Sequence, residues 1–390
     1  MVERINLVSG SFWGSNPHEA LAWLRANDPV YWDEAGGVWG ITRYDHIREI
    51  SKDPALYSNA GGIRPDADPV PEMIDMDDPG HWQRRKLVNR GFTPARVRAQ
   101  ETAIRAVANR LIDAVAPAGQ CDFVTDVAAW LPLKVIGDAL GVDDRDHPAL
   151  LEWSDTLMRG QGGDFSDIEA MMNAFVDYST YARRVIEARR ATPADDLMSV
   201  LVHAEVDGDR LSDEEIIYES LLILIGGDET TRHVITGGVW QLLHTRQWER
   251  LLEDRSLLAG AVEEMLRWVS PIKNMARTVT RDVEFHGKHL QAGQKLLLLY
   301  PSANRDEDRF EDPFRFDVSR SPNDHVAFGF GTHFCLGNSL ARSEIRIVLE
   351  QLLDRVPDLQ LVEGTEPAHR PANFVSGYET MPVVFTPFTS

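Results

Sequence analysis

The chain has few cysteines, a deficit of positive charge and no long hydrophobic run. Its 390 residues include two cysteines, Cys121 and Cys335, which excludes a disulfide framework and fits a reducing compartment. Acidic residues outnumber Lys and Arg by 61 to 40, and the net charge of −21 argues against binding to nucleic acids or anionic membrane surfaces. Apolar runs such as residues 221–225 are short, and no signal-like segment opens the chain. We therefore expect a soluble, cytoplasmic protein without a transmembrane anchor.

What the sequence does contain is a run of glycines and aromatic residues around one cysteine. Residues 328–337 read Phe-Gly-Phe-Gly-Thr-His-Phe-Cys-Leu-Gly and stand directly before a helical pattern. Backbone N–H groups in a tight loop and at a helix N-terminus stabilise a thiolate. No second Cys or His lies at zinc-ligand spacing from Cys335, which disfavours a tetrahedral zinc site. A lone thiolate is the axial iron ligand of haem monooxygenases, whereas an isolated cysteine in a glycine-rich turn is usually structural.

The pattern Phe-Gly-x-Gly-x-His-x-Cys-x-Gly resembles the haem-binding loop of the cytochrome P450 superfamily, bacterial soluble type. Six positions match within ten residues. The resemblance implies that Cys335 binds the iron of haem b. It also implies a mainly α fold with a small β region, in which a single domain over residues 1–390 encloses the haem. The loop residues that the resemblance assigns to haem binding are Phe328, Gly329, His333 and Gly337.

Two further segments resemble haem-binding parts of this family. His81 and Arg85 lie four residues apart at the start of a predicted helix, so they share one helix face. In isolation such a pair is more often a solvated basic face. The resemblance implies that both side chains bind a haem propionate, since a guanidinium is suited to carboxylates. Arg277 matches the second propionate-binding position of the family.

A pair of adjacent glycines, beginning with Gly226, interrupts a long predicted helix that starts at a capping box in residues 212–215. Each glycine costs about 1 kcal/mol relative to Ala, and the Thr230 hydroxyl can bond back to the Gly226 carbonyl and open the turn. An acid followed by an alcohol at an opened turn can carry protons; a packing notch for another helix is the alternative. The family has an acid and a threonine here, which implies Glu229 and Thr230 as catalytic proton donors, with Asp228 as a further candidate.

Glu264 and Arg267 are three residues apart on a predicted helix. On a helix surface such a pair contributes only about 0.2–0.5 kcal/mol. It resembles the Glu-x-x-Arg pair of the family, whose third partner is the arginine of a Pro-x-Arg-Phe segment. Residues 313–316 supply that segment, so the resemblance implies a buried structural network of Glu264, Arg267 and Arg315.

The family resemblance implies a monooxygenase that uses O2 and electrons from a ferredoxin-type donor, with its reductase, to hydroxylate an unreactive C–H bond. It also implies a mobile lid at residues 160–164. A basic cluster in an otherwise acidic chain is the predicted docking face for an acidic donor; its members are Arg84, Lys86, Arg90, Arg96 and Arg98.

Several blocks resemble one subgroup, the actinobacterial monooxygenases that oxidise the terminal side-chain methyl of cholesterol or cholest-4-en-3-one. These blocks are residues 59–65, 221–233, 273–275 and 370–377. The subgroup resemblance implies an apolar channel that suits an aliphatic tail. The predicted pocket residues are Ile63, Met73, Ile74, Ile225, Gly226, Ile272, Met275 and Val375.

Three alternatives stay open. The substrate could be another lipid or a fatty acid, because residue chemistry by itself supports only a large, mostly apolar molecule. A peroxide-driven or isomerase-type haem-thiolate enzyme is a second class, against which the proton relay at Glu229 and Thr230 argues. A non-catalytic haem or sterol binder is a third, and turnover that depends on a reductant would exclude it.

Overall fold

The computed structural model describes residues 5–161, 166–206 and 208–389, so most of the predicted lid at 160–164 lies outside the described residues. The α-helices in these ranges are α1 Gly10–Gly14, α2 His18–Asn27, α3 Tyr44–Lys52, α4 Gly80–Val88, α5 Pro94–Val115, α6 Trp130–Leu140, α7 His147–Gln161, α8 Ile168–Ala191, α9 Leu197–His203, α10 Asp213–His244, α11 Gln247–Glu253, α12 Leu258–Val269, α13 Tyr300–Ala303 and α14 Asn338–Arg355. The strands are β1 Val30–Asp33, β2 Val38–Ile41, β3 Tyr57–Ser58, β4 Gln120–Asp122, β5 Glu205–Val206, β6 Asp209–Arg210, β7 Met275–Val279, β8 Val283–Phe285, β9 Lys288–Leu290, β10 Lys295–Leu298, β11 Gln360–Leu361 and β12 Pro382–Val384.

Helix α10 is the element around which the other helices pack. It begins at the predicted capping box: the Ser212 hydroxyl accepts a hydrogen bond from the Glu215 N–H at 3.2 Å, and the Glu215 carboxylate accepts one from the Ser212 N–H at 2.9 Å. Its 32 residues span about 48 Å and contact α6, α7, α8, α12 and α14. Residues on nearly all its sides are buried, which is the pattern of a core helix rather than a surface one.

The strands form a small, separate part of the fold. The main sheet has the order β1-β2-β10-β7-β3, and a hairpin at residues 34–37 joins β1 to β2 with Asp33 opposite Val38. Strand β10 runs parallel to β2 and antiparallel to β7, which places Leu296 opposite Arg277. A second sheet has the order β11-β12-β4. The prediction of a mainly α fold with a small β region is confirmed.

Three groups of buried apolar side chains form the core. The largest surrounds α10, the second lies under the main sheet against α3, and the third joins the N-terminal segment to β10. Among the described residues, no helix combines the length and the apolar character needed to cross a bilayer.

The buried ion network on α12 differs from its prediction in one member. Arg267 donates to both carboxylate oxygens of Glu264, at 2.7 and 2.8 Å, and neither side chain is exposed. The prediction for Arg315 is wrong, because its side chain is 64% exposed and contacts Asp317 at 3.4 Å. Arg320 takes that place instead, with its Nε 3.2 and 3.3 Å from the two Glu264 oxygens. The chain turns at residues 311–320 so that the later arginine points inward, while the backbone carbonyl of Arg315 accepts hydrogen bonds from the network.

Candidate active site

One cavity brings together most of the predicted site residues. Its walls come from the middle of α10, the start of α14, the cysteine loop, strand β7 and segment 59–74. The lining includes every predicted pocket residue, namely Ile63, Met73, Ile74, Ile225, Gly226, Ile272, Met275 and Val375. It also includes all the residues predicted for the cofactor and its metal: His81, Arg85, Arg277, Phe328, Gly329, His333, Cys335 and Gly337.

The cysteine loop is held in shape by its backbone. The Cys335 N–H donates to the Phe328 carbonyl at 2.9 Å, and the Cys335 carbonyl accepts from the Asn338 side-chain amide at 2.7 Å. Gly331 has φ +78°, and a Cβ at this position would lie 2.2 Å from the carbonyl oxygen of Ser51. Only glycine therefore permits the turn that carries Cys335 into the cavity wall.

The surroundings of the Cys335 thiol have opposite effects on its pKa. Burial raises the pKa of the Cys335 thiol, while the N–H groups of Gly337 and Asn338 and the positive charge of Arg85 act to lower it. These backbone N–H groups belong to the first residues of α14 and its N-terminal flank. A metal ion at the cavity end of the thiol would complete the stabilisation of the thiolate, because coordination favours the deprotonated form.

Basic side chains lie at the edge of the same cavity; His81 contacts Asp78 at 3.3 Å, whereas the two arginines of the group have no acidic partner among the described residues. Arg277 is 5% exposed and donates to the Ala276 carbonyl at 2.8 Å, and Arg85 donates to a carbonyl of the cysteine loop. Within the described part of the chain, neither guanidinium has a carboxylate at ion-pairing distance. The rings of His81 and His333 lie 4.0 Å apart, and burial together with the nearby positive groups lowers the pKa of His333 to about 2.

This arrangement fits a haem. Arg277 is buried and Arg85 is half-buried, so positive charge without an acidic partner is costly here, and the two propionates of a haem would neutralise it. A thiol in the cavity wall would supply the axial iron ligand, and apolar side chains would cover the macrocycle. The residues present therefore fit both the iron and the propionates of the haem that the loop pattern implies.

The turn of α10 from Gly226 to Thr230 faces the cavity, and the helix is continuous through it. The predicted hydrogen bond from the Thr230 hydroxyl to the Gly226 carbonyl is confirmed at 2.8 Å. A Cβ on Gly226 would meet no atom within 4 Å, so the helix leaves open space beside this turn. Thr230 lines the cavity there, with its hydroxyl available to donate to a bound molecule once it leaves the carbonyl.

The two acids of this turn lie outside the cavity lining. Glu229 is fully buried, and its carboxylate contacts Arg232 at 2.5 Å, Arg370 at 3.2 Å and His233 at 3.2 Å. Asp228 is also fully buried; neither of its oxygens has a hydrogen-bond partner among the described residues, and burial raises its pKa to about 8. Neither acid lines the cavity, and the roles predicted for both acids stay predictions.

Several lining residues carry no signal that sequence reasoning recognised. Glu344 on α14 is buried in the wall, and Met158 on α7 covers the cavity from the opposite side. Arg64 and Glu72 form a buried ion pair at 3.3 Å in the wall formed by segment 59–74. An acid nine residues after the cysteine and a charged pair inside a long loop look like ordinary surface residues until their burial is known.

Comparisons with known proteins agree with this site. The chain matches the Cytochrome P450 family over residues 163–376. A steroid C26-monooxygenase from Mycolicibacterium smegmatis is 53% identical over 387 residues, covering 98% of this chain and 96% of that protein. A methyl-branched lipid omega-hydroxylase from Mycobacterium tuberculosis is 39% identical over 98% of this chain and 95% of that protein.

A solved structure shares the whole fold. The crystal structure of a cytochrome P450 from Bacillus megaterium in complex with testosterone superimposes with a TM-score of 0.88 and 35% identity, covering 96% of this chain and 99% of that one. The family match covers more than half of the chain and contains the turn of α10 from Gly226 to Thr230, the buried ion network and the cysteine loop. The chain belongs to the cytochrome P450 family, whose members bind haem through a cysteine thiolate.

Proposed function

We propose that the chain is a steroid C26-monooxygenase that hydroxylates the terminal side-chain methyl of cholesterol or cholest-4-en-3-one. The observation that carries the proposal is the continuous apolar cavity from Cys335 to the residues of segment 59–74. A long, narrow apolar substrate fits such a cavity, because the burial of apolar surface drives its binding. The printed function of the relative at 53% identity supports the steroid as substrate.

Haem b, bound through Cys335, supplies the activation of O2 in this proposal. The residues of the protein orient the haem and supply protons. The guanidinium groups of Arg277 and Arg85 would neutralise the propionates, and the imidazoles of His81 and His333, whose pKa values are lowered by burial, would act as uncharged hydrogen-bond partners. The Thr230 hydroxyl donates a proton within the cavity, and Glu229 restores that proton from behind the helix turn.

The charge pattern of the cavity favours a sterol over a free fatty acid. Arg64 is the cationic residue of the segment 59–74 wall, and it is paired with Glu72 and Asp75, each at 3.3 Å. A fatty-acid carboxylate entering here would therefore meet two acids around one guanidinium. Burial raises the pKa of Glu72 to about 7, although Arg64 lowers it, so this carboxyl can hold a proton and donate to a sterol oxygen near neutral pH.

The electron donor is proposed to be a ferredoxin that docks beside the cysteine loop. The basic cluster predicted for this face is wrong at Arg84, which is buried against Glu215 and Glu219 on α10; Arg96 stays exposed, with Asp195 2.8 Å away. This occurs because the face of α4 that carries Arg84 packs inward.

An exposed and a half-buried aromatic residue, each with an adjacent cation, lie near the loop instead. Lys86 lies 4.9 Å from the ring of Trp82, which is 54% exposed, and Arg48 lies 4.4 Å from Phe330. An acidic partner is attracted by the cations, while the aromatic rings supply contact area. Lys86→Glu should raise the KM for ferredoxin without changing steroid binding; the same charge change at Arg159, exposed on α7, is the control. Equal effects of both changes would contradict this docking face.

The proposed substrate is tested by titration and turnover. Cholest-4-en-3-one, cholesterol and a fatty acid of similar length are added separately to the ferric protein while the Soret band is recorded. Saturable spin-state shifts with the steroids, followed by a terminally hydroxylated product when ferredoxin, its reductase and a reductant are supplied, support the proposal. A shift with the fatty acid and with neither steroid rejects the sterol assignment and leaves a lipid monooxygenase.

Turnover that requires the reductant separates this function from a peroxide-driven enzyme and from a non-catalytic binder. The cytoplasm is the proposed compartment, since both cysteines are free thiols and the electron donors are intracellular proteins.

A further inference from the structure

A buried polar cluster connects Glu229 with the helix that covers the cavity. One guanidinium, that of Arg232 on α10, contacts two carboxyl groups: its Nη2 lies 2.5 Å from Glu229, and its Nη1 lies 2.9 Å from Asp155 on α7. The side chain of Glu229 has no exposure and that of Arg232 has 5%, but the side chain of Asp155 is 34% exposed. Asp155 is therefore the most exposed of these three side chains; Glu379, which contacts Arg370 at 3.5 Å, is a second partly exposed acid on the other side of Glu229.

We propose that Asp155 is the solvent-side proton donor that restores the proton of Glu229, with Arg232 holding the two carboxyl groups side by side. The inference rests on the proposed function, because it concerns the supply of protons to the same reaction. Asp155 touches neither substrate nor haem in this scheme; it acts through Glu229, which acts through Thr230.

The two carboxyl groups are close enough to share a proton. Their side chains lie within hydrogen-bonding reach of each other, and the groups around them bias where that proton resides. Burial and the adjacent Glu229 raise the pKa of Asp155; Arg232 and Arg370 outweigh burial at Glu229 and lower its pKa. A proton shared by the pair is therefore favoured on the outer carboxyl, Asp155, with Glu229 as the inner carboxylate.

The transfer balances without any co-reactant. One proton moves from the Asp155 carboxyl to the Glu229 carboxylate, and a solvent proton then restores Asp155. Only O–H bonds form and break, and Arg232 keeps its charge throughout. The other ionisable groups that face the pair are Asp228 and His233 on α10, and Arg370, which contacts Glu229 at 3.2 Å.

The position of Asp155 also connects the proton donor to the cavity wall. Met158 lies three residues further along α7 and lines the cavity, so the two side chains are neighbours on one helix face. The cavity contact of Met158 and the contact between Asp155 and Arg232 therefore both depend on the position of α7 beside α10.

The test compares Asp155→Asn with Asp155→Glu in the complete haem-loaded protein. Asparagine keeps an oxygen for Arg232 but cannot release a proton, whereas glutamate restores an acid. Glu152→Gln is the matched control, because Glu152 is an exposed carboxylate three residues earlier on α7. For each variant, three quantities are measured: the steroid-induced spin shift, the product formed per electron consumed, and the solvent deuterium isotope effect on turnover.

We expect Asp155→Asn to lower product formation by about tenfold, less than the factor of roughly 10²–10⁴ that a directly acting general acid contributes. Its peroxide release per electron and its isotope effect should rise, while its spin-shift titration stays that of the wild type. Asp155→Glu should recover most of the coupling, and Glu152→Gln should match the wild type.

Two results overturn the inference. In the first, Asp155→Asn forms as much product per electron as the wild type and shows the same solvent isotope effect, while Thr230→Ala forms less product per electron. The other is loss of the spin shift together with coupling, which would mean that Asp155 only holds α7 in place. Failure of the proposed function is a different observation: it appears in the wild type, as absence of product from either steroid.

Discussion

The buried ion network around Glu264 predicts that substitutions of Arg320 and Arg315 have different effects on stability. Arg320→Gln removes a guanidinium whose side chain is 9% exposed and whose Nε contacts both oxygens of the fully buried Glu264. A hydrogen bond to a charged group contributes about 1.5–3 kcal/mol. Removing one partner of a buried pair costs about 3–5 kcal/mol when the other charge is left alone, but Arg267 still holds Glu264 here. We therefore expect a loss of about 2–3 kcal/mol in the free energy of unfolding.

Arg315→Gln is the matched control, with the same change of residue five positions earlier. The Arg315 side chain is 64% exposed and contacts one carboxylate at 3.4 Å. An exposed ion pair contributes about 0–1 kcal/mol. The backbone carbonyl that Arg267 and Arg320 do use at this position is unchanged by the substitution.

Thermal unfolding at one scan rate, followed by circular dichroism and by the Soret band, measures both effects. The entropy of unfolding is about 2.1 cal/mol/K per residue, so a chain of 390 residues loses about 1 °C of Tm for each 0.8 kcal/mol. Arg320→Gln should lower Tm by about 3 °C and Arg315→Gln by about 1 °C or less. An equal or larger fall in Arg315→Gln would refute the assignment of Arg320 to the network.

Three further outcomes are expected. In Cys335→His, the carbon monoxide complex of the reduced protein should lose the long-wavelength Soret band of a thiolate ligand; retention of that band would reject Cys335 as the ligand. Thr230→Ala should release more peroxide per electron while its haem content stays normal, and unchanged coupling would count against its proton role. Burial raises the pKa of Glu263, but hydrogen bonds from His325 and Arg342 outweigh burial and lower it to about 2 from an ordinary 4.5. The stability contributed by this carboxylate is complete above pH 4.5 and is lost as pH falls toward 2. The Tm deficit of Glu263→Gln should therefore shrink between about pH 6 and pH 3, and a constant deficit would contradict the shift.

Short-range features of this protein could be read from its sequence because they depend on a few consecutive residues. The capping box at Ser212 is defined by residues three apart, and the bond from Thr230 to the Gly226 carbonyl spans one helical turn. The loop before α14 needs a glycine at 331 because its φ is positive and the Ser51 carbonyl leaves no room for a Cβ. Such backbone demands act locally, so their residue patterns are recognisable without a tertiary structure.

Choices among distant partners were decided only by the tertiary structure. Arg315 and Arg320 both follow the same turn, and the path of the chain determines which guanidinium reaches Glu264. Arg84 looked like an exposed cation, but the packing of α4 against α10 buries it beside Glu219. The contact that brings Asp155 to Arg232 joins residues 77 positions apart.

The physical reason is that burial and charge pairing depend on how segments approach in space. The sequence does not distinguish a carboxylate or guanidinium on the surface from one in the core. The solvation free energy of the group differs by several kcal/mol between these two places. The sequence of this protein determined where its thiol loop and the glycine-threonine turn of α10 would form. The tertiary structure alone determined which charges lie beside them, and therefore how protons could reach the cavity.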